Sequence, residues 1–309
     1  MLSVHRMSMR SSPSSVDQVI ARIRNVYRNW NRQTPIQQMR RDWDEFLWCD
    51  PLTPRTEEVD IDGLKARWID ADGARNDFVL LYFHGGGYKM GSVVSHHELM
   101  SRLSAAAGCR VLGINYRLLP EWVFPAPVND ACRVYRWLLD QGYCANHIAL
   151  AGDSSGGGIA AATLISSRDQ GVPLPAAAVL LSALTDFETR GASYESRAAL
   201  DPIHNRKLIQ VLGQQYLGRE GDVRHPLASP LNGELQGLPP LLLQVGDRET
   251  GLDDSVLFAE KAARAGVEVI LEIWDGMIHV FQLFPAELIE AQDAINRIGE
   301  FLKAKWSIS

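Results

Sequence analysis

The stretch ALAGDSSGGGI, residues 149–159, sets two adjacent serines among glycines, after one apolar run and before another. The run HIALAG (147–152) reads as a strand, and GGGIAAATLI opens a helix. In open parallel sheets, sites lie at the carboxyl ends of strands, which is where Ser154 and Ser155 fall. Residues Gly152-Asp153-Ser154-Ser155-Gly156 fit the spacing G-x-S-x-G. A nucleophile on a sharp strand-to-helix turn has strained backbone angles, and the residues two positions away on either side are crowded together. Glycine at both positions relieves that crowding. Ser154 has glycine on each side at that distance, whereas Ser155 would have Asp153. Ser154 is therefore the candidate nucleophile. The backbone N–H of Ser155 becomes a candidate donor to a developing oxyanion.

Working outward, the same alternation recurs. FVLLYF (78–83), CRVLGIN (109–115), AAVLLS (177–182), LLLQVG (241–246) and VEVILEIW (267–274) are short apolar runs with the character of buried strands. Helical patterns lie near 95–107, 127–141, 155–169, 254–265 and 286–305. Near-continuous apolar strands alternating with helices imply an α/β fold: a mostly parallel central sheet with helices on both faces. EEVDIDG and LKARWID precede this region and read as two strands joined around Asp62-Gly63.

Two segments break the rhythm. Val16, Ile20, Ile23, Tyr27 and Trp30 form one apolar helical stripe, and Ile36, Met39, Trp43 and Phe46 continue at helical spacing. Thr34-Pro35 between them resembles an N-cap followed by proline at the first helical position. The many arginines of this region are read as the solvated face of packed helices rather than a membrane-surface face. Residues 187–239 hold helical pieces and prolines without a clear strand, and read as an insertion over the carboxyl edge of the sheet. The resulting division is 1–14 disordered, 15–56 N-terminal cap helices, 57–186 with 240–309 as the catalytic domain, and 187–239 as the cap insertion.

Composition removes several function classes. The 309 residues are 46% hydrophobic, with a net charge of -6 and no sustained basic run, which argues against nucleic acid as partner. The opening MLSVHRMSMRSSPSS lacks the apolar core of a secretory signal. No apolar run approaches the roughly 18 residues of a membrane span. Cys49, Cys109, Cys132 and Cys144 show no C-x-x-C spacing and do not read as a disulfide framework. They read as reduced, mostly buried thiols of a cytoplasmic protein.

A second glycine turn follows FVLLYF: His84-Gly85-Gly86-Gly87-Tyr88. Consecutive glycines let backbone N–H groups approach a ligand, and donors aimed at an oxyanion are each worth about 10²–10³ in rate. The Walker A sequence and G-x-G-x-x-G are both absent, so acyl transfer suits these glycines better than nucleotide binding. A serine hydroxyl needs a base, usually histidine oriented by a carboxylate, and in α/β-hydrolases the chain order is Ser, acid, His. His279 follows the last strand and fits the base. His204 and His225 lie in the insertion and fit less well. Adjacent His96-His97 lack metal-ligand spacing and read as the exposed start of a helix. The acid should follow LLLQVG, where Asp247 and Glu249 both qualify, and Asp253 and Asp254 read as caps of the next helix.

Taken together, HGGGY (84–88), YRLLPE (116–121) with FPA (124–126) and Asp130-Ala131, GDSSGG (152–157), Asp201-Pro202, PLASPL (226–231) and GMIHVF (276–281) resemble the hormone-sensitive-lipase-like family of α/β-hydrolases, the bacterial family IV esterases. The resemblance runs from about residue 57 to the end and implies the α/β-hydrolase fold with a helical cap. Aligning Asp253 with the last acid of the family's DPLxD pattern puts Glu249 at the triad acid, with Gly251 where leucine is usual. Asn115 replaces the usual Asp before Tyr116-Arg117. The implied site is Ser154, Glu249 and His279, with an oxyanion hole of Gly85, Gly86 and Ser155. Gly87 and Tyr88 would touch substrate, and Trp30, Trp43, Phe46 and Trp48 would supply pocket walls. The resemblance implies hydrolysis of small-molecule carboxylic esters with short to medium acyl chains. It implies no metal and no organic cofactor, and it allows a homodimer through an edge strand or the last helix. Lactone and N-acetyl hydrolases are related to this family. The plant gibberellin receptor also resembles it but binds without hydrolysing, and that reading predicts a damaged triad.

Overall fold

The computed structural model describes residues 1–218 and 220–307. Nine strands form one sheet: β1 (Leu2–Met7), β2 (Arg55–Ile61), β3 (Leu64–Asp70), β4 (Arg75–Phe83), β5 (Cys109–Ile114), β6 (Ile148–Asp153), β7 (Ala177–Leu181), β8 (Leu241–Gly246) and β9 (Val269–Trp274). Their order across the sheet is β1-β9-β8-β7-β6-β4-β5-β3-β2. The hairpin of β2 and β3 joins antiparallel at one side, and every other neighbouring pair is parallel. The hairpin turns at Asp62-Gly63, both with positive φ.

The helices are α1 (Pro13–Arg28), α2 (Ile36–Leu47), α3 (His97–Ala107), α4 (Ala126–Asp140), α5 (Ser155–Asp169), α6 (Ser193–Ser196), α7 (Arg206–Leu217), α8 (Leu252–Arg264) and α9 (Ile289–Trp306). The central strands are buried along both faces, as their continuous apolar runs require. On one face their side chains join residues of α4, α5 and α8, including Tyr135, Ile159, Leu164 and Phe258. On the other they join α3 and α9 through Leu99, Leu103, Ile295 and Ile298. Helix α5 is buried almost all round. Three glycines and three alanines let it lie close to the sheet and still follow the serine turn without bulk.

Residues 1–14 are ordered, contrary to the expectation of disorder. Strand β1 pairs in parallel with β9 from Leu2 opposite Val269 to Met7 opposite Trp274. It is therefore β1, and not β9, that forms this edge of the sheet. Beyond it, the Ser11 N–H and Oγ–H bond the Glu290 carboxylate, and α1 begins at Pro13 capped by Ser12. The stripe Val16, Val19, Ile20 and Ile23 then packs on Met277, Ile278, Phe281 and Phe284. Helix α2 starts one residue later than the sequence implies, with Pro35 as its cap, while Thr34 Oγ1 accepts the Asn31 N–H. Between β7 and β8 the described residues form α6 and α7 and no strand. Of the cysteines only Cys109 and Cys132 are buried; Cys49 and Cys144 are exposed, which corrects the expectation that most are inside.

Candidate active site

The turn between β6 and α5 places Ser154 at φ 52° and ψ -120°, a conformation costly for any residue with a side chain. It is held from three sides. The Ser154 N–H donates to Leu181 O at 2.8 Å, and its carbonyl accepts from Leu184 at 2.9 Å and Gly158 at 3.1 Å. The flanking glycines are sterically compelled. A Cβ on Gly152 would meet the Gly156 carbonyl, and one on Gly156 would meet the carbonyl oxygen of Phe83.

His279 lies on the loop after β9 and is buried. Its Nδ1 is 2.7 Å from Glu249 Oε2. A carboxylate can only accept, so Nδ1 carries the proton and Nε2 keeps its lone pair. Nε2 has no hydrogen-bond partner among the described residues. His279 and Ser154 line the same two cavities. Burial works to lower the His279 pKa, but the Glu249 charge and hydrogen bond, with Asp201 and Asp153, leave it above the ordinary 6.5.

Glu249 is wholly buried. Its Oε1 accepts from the Gly246 N–H at 2.6 Å and from Ser182 Oγ at 2.8 Å. Ser182 also accepts the Val280 N–H at 3.1 Å, so one hydroxyl ties the acid to the residue after the histidine. Asp247, the other candidate acid, faces away. Its Oδ1 accepts the Gly276 N–H at 2.7 Å, and its Oδ2 meets Arg6 at 3.3 Å. It pins the histidine loop to the sheet instead of touching the imidazole. Asp253 holds the Ser193 N–H at 2.9 Å, and Asp254 is buried within the small cavity wall. Burial, then the Asp186 charge, pushes the Asp254 carboxyl well up.

The glycine loop requires a correction. The Gly85 N–H already donates to Asp153 Oδ1 at 2.9 Å, and Gly85 does not line the cavity. Gly86 and Gly87 do line it, both with positive φ, and their N–H groups bond no acceptor among the described residues. The free donors are therefore Gly86, Gly87 and Ser155, not Gly85. Asp153 organises this loop. It accepts from Tyr82 Oη at 2.8 Å and lies 3.3 Å from His96 Nε2. Burial favours its neutral form, yet His96 and Tyr82 leave its pKa below the ordinary 3.8. His96 and His97 are both buried, against the exposed reading, because Asp153 and Asp50 draw them inward. Tyr88 is turned into the core, stacked on Tyr216 with centroids 3.9 Å apart, and lines neither cavity.

Two unequal chambers meet at Ser154 and His279. The larger, about 450 Å³, is walled by α1, α2 and α7 through Ile23, Trp43 and Leu212 and by Trp30 from the α1–α2 connection, with the glycine loop among its lining. Phe46 and Trp48 are not in its wall; Trp48 lies outside, 48% exposed. The smaller, about 20 Å³, lies against Ser182–Leu184, Tyr194 and Leu212. His204, passed over in the sequence, lines both and packs on His279. Its neighbour Asp201 accepts the His204 N–H at 2.9 Å and the Thr250 N–H at 2.7 Å, joining the cap to the turn that carries Glu249. Ser182 was legible only as the last residue of the apolar run AAVLLS. Nothing local marked His204.

Comparison with known proteins shows the family. Residues 80–283 match a family model described as the alpha/beta hydrolase fold. The chain is 43% identical to an acetyl-hydrolase of Streptomyces hygroscopicus, over 81% of this chain and 83% of that protein. It is 32% identical to an esterase of Acinetobacter venetianus, over 84% of this chain and 86% of that one. A crystal structure of an esterase from the bacterial hormone-sensitive lipase family superposes with a TM-score of 0.91 at 46% identity, covering 97% of this chain and 100% of that one. On fold, motif order and sequence identity together, the chain belongs to the bacterial hormone-sensitive-lipase family of α/β-hydrolases and is an enzyme of the carboxylesterase type.

Proposed function

We propose that this enzyme hydrolyses esters of short acyl groups, acetyl foremost, through Ser154, His279 and Glu249. Ser154 Oγ attacks the ester carbonyl as His279 Nε2 takes its proton. The carbonyl oxygen becomes an oxyanion held by the N–H groups of Gly86, Gly87 and Ser155. Collapse breaks the bond to the alcohol oxygen, which takes the proton from His279 and leaves. The acyl group stays on Ser154. A water then gives its proton to His279 and attacks the acyl carbonyl, releasing the carboxylic acid and restoring the serine. Glu249 keeps Nδ1 protonated and stabilises the imidazolium in both halves.

The observation that carries this reading is the buried 2.7 Å contact of His279 Nδ1 with Glu249, which leaves Nε2 free in cavities shared with a strained Ser154. The acyl preference rests on the smaller chamber, which has room for about one water-sized group. An acetyl methyl suits that space, and the alcohol portion takes the larger chamber. The name of the Streptomyces relative, an acetyl-hydrolase, is in keeping with it.

The test is hydrolysis of p-nitrophenyl esters from acetate to decanoate by the wild type and Ser154→Ala. The expected result is highest kcat/KM on acetate, a fall beyond butyrate, and loss of turnover in the variant. Undiminished turnover by Ser154→Ala overturns the nucleophile assignment. A maximum at long chains overturns the acyl assignment.

A further inference from the structure

The larger chamber carries charge that the hydrolytic mechanism does not use. Among the described residues its lining includes one carboxylate, Asp153, already bonded to Tyr82, Gly85 and His96. It also includes two cations, Lys89 and Arg32. Lys89 lies two residues past Gly87, on the oxyanion loop itself. Its backbone is fixed, since the Lys89 carbonyl accepts from Arg40 Nε at 2.9 Å and its N–H donates to Gly86 O at 3.1 Å. Its ammonium is half-buried and has no carboxylate or carbonyl partner among the described residues. Burial alone shifts its pKa, downward, and no neighbouring charge offsets that. The exposed Arg32 guanidinium likewise forms no ion pair among the described residues.

Nearby cations are different. Arg40 is paired with Glu121, and Arg22 with Glu287. The whole chain is acidic, at -6, so an excess of unpaired positive charge around one chamber runs against its average. A half-buried ammonium without a partner costs free energy unless something else supplies the counter-charge. The rest of the wall is aromatic and aliphatic, from Trp30, Trp43 and Ile23.

We infer that the esters taken by this enzyme carry an anionic group on the alcohol portion that fills the larger chamber, with Lys89 as its principal partner and Arg32 as a second. The substrate class is an acylated apolar hydroxy acid, whose body lies on the tryptophans and whose carboxylate or equivalent oxyanion meets Lys89. This rests on the ester-hydrolase reading above, and hydrolysis releases the short acid and the free hydroxy acid.

The experiment compares 4-acetoxybenzoate with its neutral methyl ester, methyl 4-acetoxybenzoate, in the wild type, Lys89→Met, Lys89→Arg and Arg32→Gln. The quantity read is the ratio of kcat/KM for the anionic over the neutral ester, so a loss common to both cancels. Lys89→Met keeps the aliphatic stem and should lower the ratio at least about tenfold. Lys89→Arg should hold it within about threefold, and Arg32→Gln should lower it less than Lys89→Met. Added salt should raise KM for the anionic ester alone. A ratio that stays within about twofold in Lys89→Met overturns the inference. So does a wild type that hydrolyses p-nitrophenyl acetate but not the anionic ester. A wild type without activity on p-nitrophenyl acetate overturns the ester-hydrolase reading instead.

Discussion

The ring of His204 meets the ring of His279 edge-on, with centroids 4.3 Å apart and planes at 88°. A cap residue thus buttresses the imidazole that Glu249 orients from the other side. Burial, then the His279 charge, lowers the His204 pKa to about 3, so it is neutral across the working range. Its role is then to fill space and hold an angle. His204→Phe should keep kcat within about threefold, and His204→Ala should lower it about tenfold or more, because small misplacements of a base are costly. Equal kcat in the two variants would show that the ring contact does not matter.

Glu249→Gln preserves size and removes charge. The loss in kcat should be about 10²–10⁴, whereas Asp247→Asn should cost less than about tenfold. The pH profile gives the sign. The base must be unprotonated, and the His279 pKa stands above 6.5 because the Glu249 charge and bond outweigh burial. Activity should therefore fall as pH drops through a value above 6.5 in the wild type. In Glu249→Gln burial is left less opposed, and the limb should move to lower pH. A limb that stays put in Glu249→Gln counts against the assignment.

Acyl length should follow the wall of the smaller chamber. Leu184 and Tyr194 both face it. Leu184→Ala should raise the butyrate-to-acetate ratio of kcat/KM about fivefold or more, a methylene-scale gain in room. An unchanged ratio places the acyl group elsewhere.

Acid should weaken the fold through its buried histidines. Burial is the main cause that takes His84 and His204 to about 3, while an unfolded histidine titrates near 6.5. Between these values the unfolded chain binds protons that the native state refuses. Stability is fully present above 6.5 and is lost as pH falls toward 3. The slope is at most about 1.4 kcal/mol per pH unit for each ring. His279 is shifted upward, so its own contribution is complete below 6.5 and does not oppose the trend. Urea midpoints from pH 6.5 to 4.5 should decline in the wild type and less steeply in His84→Asn.

Gly156→Ala should be the most damaging small change at the elbow, since its methyl would strike the Phe83 carbonyl. Overpacking of this kind costs about 1–3 kcal/mol, measured as a lower urea midpoint.

What the sequence disclosed follows from how local each cause is. The serine turn was legible because G-x-S-x-G, a preceding strand and a following helix are all written within about a dozen residues. The central strands were legible because burial on both faces leaves continuous apolar runs. Strand β1 was not, because LSVHRM has weak patterning and gains its order from β9, more than two hundred residues away. The three glycines of the HGGGY loop announced free N–H groups, yet which of them is spent depends on Asp153 from a different strand. The burial of His96 has the same remote origin. His204 lies in a cap whose packing no periodicity encodes.

The placement of β1 has a consequence for synthesis. Its partner strand ends at Trp274, and the helix that walls the larger chamber packs on residues 277–294. A ribosome extends a chain at about 5–20 residues per second, so the first strand and helix wait many seconds for the surface they need. Through that interval the nascent polypeptide holds Ser154 without its histidine. Hydrolytic competence should switch on late and abruptly, once β9, His279 and the surface that receives α1 have all emerged.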